Sequence, residues 1–193
     1  GEQHASKARA FNAKAPNGSP DKTAIAREIA AHGAVLVRNE DNLLPLSAEK
    51  TKKVLVWISA VNEQTTQESY SPFLAELKAR GAATKAMVNG NCLDLRKMEE
   101  QGLRFDAVIF LFNPRDTNTI RPVGRGSECL WTIGNTKFHK PIVVAFNSPY
   151  LLMENPLMRA LVNMNAEPLE DVQKTSVKLL YGELPFTGVS PVR

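Results

Sequence analysis

Three short stretches constrain this chain more than anything else in it: Val54-Leu55-Val56-Trp57-Ile58, the end of Phe105 to Phe112 (Ala107-Val108-Ile109-Phe110-Leu111-Phe112), and Pro141 to Phe146. Each is a near-continuous apolar run of strand length. A strand with one face in water alternates apolar and polar side chains, whereas a strand covered on both faces does not need to. Such runs belong in a sheet with helices on each face. Helical patterns lie between and around them. Ser19-Pro20-Asp21 supplies a cap, a proline at the first helical position and an acid in the first turn. Ile25, Ala26, Ile29 and Ala30 then share a face, and Gly33 ends the helix. Ser71-Pro72 opens a second helix, gathering Phe73, Leu74 and Leu77 before Gly81.

Asp94 to Gln101 reads as a charged helix with Leu95 and Met98 inward, and Ser127 to Asn135 as another. Glu167 to Tyr181 is a last helix, with Val172, Val177 and Leu180 apolar and Gly182 ending it. Ala34–Val37 and Thr84–Val88 are shorter strands, and Leu157 to Met164 reads as a short helix running into a strand. Alternating strands and helices imply right-handed crossovers and a mostly parallel sheet. The expected fold is an α/β three-layer α/β/α sandwich of flavodoxin or Rossmann type. Ligands of such sheets bind beyond the carboxyl ends of the strands. The loops that matter therefore follow Ile58, Phe112 and Phe146.

The length of 193 residues suits one such domain. Residues 1–18, ending in Pro16-Asn17-Gly18, read as a tail or interdomain linker, and residues 19–193 as the domain. A complete (β/α)₈ barrel takes about 250 residues and does not fit. No apolar run approaches the roughly 18 residues of a membrane span. The net charge of +4 is half accounted for by Lys7, Arg9 and Lys14 against Glu2. The rest of the chain is close to neutral and lacks the basic, aromatic-interleaved stripe of a nucleic-acid binder. Cys92 and Cys129 fit no metal spacing, and the sequence leaves open whether they are free or paired.

The loop Asn113-Pro114-Arg115-Asp116-Thr117-Asn118-Thr119-Ile120-Arg121-Pro122-Val123-Gly124-Arg125-Gly126 is long for a compact domain, and such loops often carry function. Its residues Asn113, Arg115, Asp116, Arg121 and Arg125 could grip a polar or anionic ligand, the arginines and Asn113 as donors and Asp116 as an acceptor. Asn147 and Tyr150, after the strand ending at Phe146, complete the set of candidate cleft-lining residues. Gly124-Arg125-Gly126 opens like a dinucleotide fingerprint, but the third glycine would stand where Cys129 is. His4, His32 and His139 are scattered, with His32 placed to complement a helix C-terminus. The strand-end acids Glu63, Glu68 and Asp116, with Glu154 farther on, form no convincing pair of the kind glycoside hydrolysis needs. No catalytic residue, metal site or cofactor is assigned.

Two segments together resemble the C-terminal α/β sandwich domain of family 3 glycoside hydrolases. One is Ala26-Arg27-Glu28-Ile29-Ala30-Ala31-His32-Gly33-Ala34-Val35-Leu36-Val37-Arg38-Asn39-Glu40 with Leu43-Leu44-Pro45-Leu46. The other is Lys178-Leu179-Leu180-Tyr181-Gly182-Glu183-Leu184-Pro185-Phe186-Thr187-Gly188-Val189-Ser190-Pro191-Val192, similar to the family's closing motif. Asn147-Ser148-Pro149-Tyr150 at the end of a strand also fits. The resemblance spans about residues 20–193. It implies a domain that packs, through its first helix and Leu43–Leu46, on an N-terminal catalytic barrel missing from this chain. It also implies carbohydrate as the ligand and is compatible with export or the cell envelope.

In the β-glucosidase branch this domain lends an acid/base glutamate after a central strand. Here Phe112 is followed by Asn113-Pro114-Arg115-Asp116, without one. Asn165-Ala166-Glu167-Pro168 replaces a Pro-Gly-rich turn of that branch. Both departures imply the β-N-acetylglucosaminidase-like branch and a non-catalytic domain. The alternatives are an independent small-ligand module using the strand-end loops, and a hydrolase built on Asp116 and Glu154.

Overall fold

The computed structural model describes residues 28, 30, 32–59, 65–88, 94, 97, 98, 100–113, 141–147 and 159–188. Six strands form one sheet: β1 (Val35–Asn39), β2 (Lys53–Ser59), β3 (Ala83–Val88), β4 (Ala107–Phe112), β5 (Pro141–Ala145) and β6 (Ala160–Asn163). Helix α1 (Ser71–Ala79) follows β2, and α2 (Glu170–Leu180) follows β6. The strand order is β1-β6-β5-β4-β2-β3. Strands β2 to β6 are all parallel to their neighbours, and β1 closes one edge antiparallel to β6. The expected mostly parallel α/β sheet is therefore present. Without β1 the order is the flavodoxin-like one, with its topological switch between β2 and β4.

Every residue of β4 and β5 is buried. Successive side chains go to opposite faces and meet separate cores. Val54, Val56, Ile58, Ile109, Leu111, Ile142 and Val144 join Phe73 and Leu77 of α1 and Val172, Val177 and Leu180 of α2. Leu55, Trp57, Val108, Phe110, Phe112 and Val143 make the other core with Met98, which lies in a helical turn. Trp57 stacks on Phe110 with ring centroids 5.6 Å apart, and Phe110 on Phe112 at 6.4 Å. The residues described at 28, 30, 32 and 33, and those at 94, 97, 98 and 100, are helical, as their spacing predicts. The helix expected at Ser127 to Asn135 lies outside the described residues, as do Cys92, Cys129 and residues 1–18.

Helix α2 begins three residues later than its apolar pattern suggests. Glu167 precedes Pro168, which disfavours helical backbone before it, and Leu169 is extended (φ −65°, ψ 161°). Leu44 and Leu46, expected to anchor a neighbouring barrel, are instead buried in this domain's own core. The Leu46 N–H donates to the Leu180 carbonyl, and Asn39 closes the intervening loop by bonding both the N–H and the C=O of Leu44.

The end of the described chain is a strap from Tyr181 to Gly188 laid across the start of the sheet. Arg80 fastens it: Nε and Nη2 donate to the two Glu183 carboxylate oxygens at 2.6 and 2.8 Å, and Nη1 to Glu76 at 2.7 Å. The guanidinium also lies over the Tyr181 ring, 5.3 Å from its centroid. Burial pushes the Tyr181 phenol up, with the Arg80 charge opposing it. Gly182 has φ +71°, and a Cβ there would stand 2.9 Å from Pro45. Leu184 and Phe186 pack on the core. The Gly188 N–H donates to the Ala34 carbonyl, and Thr187 Oγ1 lies 3.4 Å from His32 Nδ1. A Cβ on Gly188 would meet the Ala34 oxygen at 2.6 Å, so only glycine lets the strap seat on the entry to β1.

Gly188→Ala is expected to cost about 2 kcal/mol, the usual scale of overpacking, and to lower Tm by roughly 4–8 °C. Gly102→Ala is the control, since φ is +79° there but nothing lies within 4 Å of the new Cβ. It should cost about 1 kcal/mol from backbone strain alone. Equal drops in a thermal melt would contradict the seating of the strap.

The second expectation concerns pH. The hydrogen bonds from Arg80 hold the Glu183 carboxyl below the usual carboxylate range, against the opposing effect of burial and helped by the Arg80 and Lys178 charges. A depressed carboxyl stabilises fully above its unfolded pKa of about 4.3 and loses that contribution as pH falls through its folded value. With 45% of the Glu183 side chain exposed, solvent screening limits the pair to about 1 kcal/mol. Glu183→Gln should lower Tm at pH 7 by a few degrees and bring the two proteins together in acid. A constant Tm gap from pH 7 to pH 3 contradicts this assignment.

Candidate functional site

The body of the sheet is buried on both faces, so polar side chains collect where the strands stop. At the carboxyl edge β2 ends at Ser59, which is in register with Phe112 across the switch point. Asn113 follows β4, Asn147 follows Phe146 at the end of β5, and β6 ends at Asn163, two residues before Asn165. Backbone bonds continue past the strands and hold these exits together. Phe146 N–H donates to the Phe112 carbonyl at 2.7 Å, Met164 N–H to Ala145 at 2.8 Å, and Asn147 N–H to Ala166 at 3.1 Å.

Asn147 and Asn165 both adopt left-handed backbone, with φ of 64° and 50°. Asparagine tolerates that region better than other residues with a Cβ. Asn165 thereby makes the turn expected of a Pro-Gly pair. Its N–H is taken by Asn163 Oδ1, and its Nδ2 donates to the Gly33 carbonyl at 2.7 Å. Asn147 Nδ2 donates to Asn113 Oδ1 at 2.6 Å. Two residues 34 apart in sequence thus form one amide pair beside the switch point.

The N-termini of α1 and α2 reach the same edge and are coupled by Gln173, which is 2% exposed. Its Nε2 donates to the Ser69 and Pro168 carbonyls at 2.9 and 2.6 Å, and its Oε1 accepts from the Phe73 N–H at 3.2 Å. Beneath it Tyr70 and Phe146 pack with centroids 6.0 Å apart. Leu169, 56% exposed, stands at the rim.

Of the candidate cleft residues, Asn113 and Asn147 are brought together. Arg115, Asp116, Arg121, Arg125 and Tyr150 lie outside the described residues, as do Glu63 and Glu154. Glu68 accepts from Thr66 Oγ1 within its own turn. Gln173 and Asn163 were not singled out from the sequence. Gln173 did leave a signal: it shares the apolar stripe of Val177 and Leu180 at i+4 and i+7, where a polar residue needs internal partners. Among the described residues, no three His, Cys, Asp or Glu side chains gather as a metal site, and no helix is long and apolar enough to cross a membrane. Side-chain amides neither take up nor release protons at ordinary pH, so the Asn113–Asn147 pair can bind and orient but not act as acid or base.

No protein-family model matches the chain. A curated relative, the β-N-acetylglucosaminidase/β-glucosidase of Cellulomonas fimi, is 28% identical over 189 residues, covering 90% of this chain and 32% of its own length. Among solved structures, a family 3 β-N-acetylglucosaminidase from Paenibacillus sp. str. FPU-7 superposes with a TM-score of 0.67 at 15% identity, over 96% of this chain and 36% of that one. The β-glucoside phosphorylase BglX superposes with a TM-score of 0.64 at 23% identity, over 86% and 30%. The chain thus spans about a third of the proteins it matches. Its α/β fold is that of a domain of the family 3 enzyme from Paenibacillus, a member of the family that the motifs at the two ends of this chain resemble. The Cellulomonas relative is similar to this chain along most of this chain's length.

Gln173→Ala would strand the buried Phe73 N–H and unpair the part-buried Ser69 and Pro168 carbonyls. It is expected to cost about 2–3 kcal/mol, the scale of unsatisfied buried groups, and to speed amide exchange at Phe73. Unchanged exchange at Phe73 would mean that Gln173 does not couple the two helix N-termini.

Proposed function

We propose that this chain is the non-catalytic α/β domain of a family 3 glycosidase acting on N-acetylglucosamine-containing glycans. It packs on a catalytic barrel, and its carboxyl-edge loops border the sugar cleft. The observation that carries this reading is the Cellulomonas relative: 90% of this chain aligns with a β-N-acetylglucosaminidase/β-glucosidase that it only one-third covers. The chemistry of the edge supports it. The position after β4, where the glucosidase branch would place its acid/base glutamate, holds Asn113, hydrogen-bonded to another amide. Arg115, Asp116, Arg121, Arg125 and Tyr150 are proposed to extend the same border, with Asn113 and Asn147 at its centre. With Leu44 and Leu46 committed internally, contact with the barrel falls to the first helix and the exposed part of the Leu43 loop.

The flavodoxin-like order keeps a second reading in view, because a switch point is also where free-standing α/β modules bind small ligands. The two readings separate in one set of assays. The purified 193-residue chain should not turn over a chromogenic N-acetylglucosaminide, while the same chain joined to its barrel should. Turnover by the chain alone overturns the non-catalytic assignment. Turnover of a glucoside but not an N-acetylglucosaminide by the joined protein overturns the branch. A free-standing module would instead show a thermal shift of about 2.7 kcal/mol in stability with a nucleotide or phosphate at 100 times its Kd.

A further inference from the structure

The amide pair at the switch point has hydrogen-bonding capacity to spare. Asn147 Nδ2 spends one proton on Asn113 Oδ1. That leaves the Asn113 Nδ2 protons as donors and the Asn147 Oδ1 lone pairs as an acceptor, with no other partner among the described residues. Rotating both side-chain amides by half a turn reverses the bond and leaves the same inventory: one amide N–H₂ and one carbonyl, held side by side.

The pair is also held still. Asn147 is fixed by its left-handed backbone and its N–H bond to Ala166, and Asn113 follows a strand buried along its whole length. Phe146 N–H ties the two exits together through the Phe112 carbonyl. A donor and an acceptor arranged in advance lose little entropy on binding.

The chemistry of the pair narrows the ligand. Ser59, Phe112, Phe146 and Ala166, the described neighbours along these exits, are neutral, the next residue after Ala166 is the exposed acid Glu167, and the sequence after Asn113 brings both signs with Arg115 and Asp116. A free carbonyl oxygen repels an anion. A hydroxyl group, by contrast, both donates and accepts, and two hydroxyls on adjacent ring carbons present both roles next to each other.

We infer that the Asn113–Asn147 pair is a recognition element for neighbouring hydroxyl groups of a neutral pyranoside. This rests on the reading of the edge as a sugar-cleft border and goes beyond it by naming the groups that its two central residues read. It distinguishes a carbohydrate from a phosphorylated ligand at the same switch point.

The test uses the side-chain N–H₂ signals of both residues in ¹⁵N–¹H spectra of the 193-residue chain. These are titrated separately with methyl β-glucoside, N-acetylglucosamine and inorganic phosphate. Both sugars should move the signals saturably, and phosphate should leave them in place. Two variants separate recognition from structure. Asn113→Asp keeps an acceptor for Asn147 Nδ2, so the link between the loops survives while the spare donor is lost. Asn147→Gly keeps the left-handed turn and loses the amide. Each should weaken sugar binding about tenfold, the upper end of what one neutral hydrogen bond is worth.

Signals unmoved by either sugar, signals moved as strongly by phosphate, or an Asn113→Asp protein that binds like the parent would each overturn the inference. None of these outcomes touches the turnover assay of the barrel-joined protein. Failure here and failure of the proposed function are therefore separately readable.

Discussion

Burial of the central strands from both sides is the constraint on which the rest of this domain depends. From Ala107 to Phe112 and from Pro141 to Ala145 every residue is buried, because alternate side chains enter one of two cores. A polar group placed there would need an internal partner or cost several kcal/mol. Chemistry is therefore excluded from the sheet's body and confined to its exits. At those exits the backbone stays bonded strand to strand one residue beyond the sheet, through Phe146 to Phe112 and Met164 to Ala145. The first side chains free to be polar, Asn113, Asn147 and Asn163, emerge from a rigid frame for that reason.

A sheet of this kind still has edges, and the two ends of the chain are used to close one of them. Strand β1 pairs antiparallel with β6, with a register shift between Leu36 and Arg38. The strap then fastens the start of β1 through Gly188 and Ala34, and fastens itself to α1 through Glu183 and Arg80. Arg80 is the better partner here because its planar fork meets both carboxylate oxygens at once, which a lysine cannot do. The residues that carry the family resemblance at the two ends of the chain are thus in contact in space. Gly182 lies against Pro45, and Leu46 bonds to Leu180. Those motifs are best understood as two halves of one closure.

The strands and most helices were legible because they rest on local periodicity. Val54–Ile58 and Ala107–Phe112 can scarcely be anything but doubly covered strands, and Pro72 and Gly81 bracket α1. What was not legible depends on register. Asn113 and Asn147 were both singled out, but as members of separate loops. Their pairing follows from Phe112 lying opposite Ala145 in the sheet, which no local pattern encodes. The direction of β1 was hidden for the same reason, since a short apolar run after a helix reads alike in either sense. Leu44 and Leu46 show the converse error: an apolar cluster in a loop signals burial without saying against what. Here it is the domain's own core, reached because Asn39 folds the loop back.

On the proposed reading, an amide stands after β4 where the glucosidase branch would place a carboxylate, and the difference goes beyond one catalytic group. A glutamate placed there must be mobile enough to follow a proton and must be shielded from neighbouring acids. An asparagine bonded to a second asparagine has neither requirement and can be locked in place. Rigid amides are suited to holding a substrate whose bond is broken by groups elsewhere, since their contribution is orientation, which they make without reorganising. On the proposed reading the domain's fold and its edge chemistry then agree. A sheet that bars polar groups from its interior, exits stapled to one another, and neutral side chains at their tips together make a fixed wall for a cleft whose acid and nucleophile belong to the partner domain.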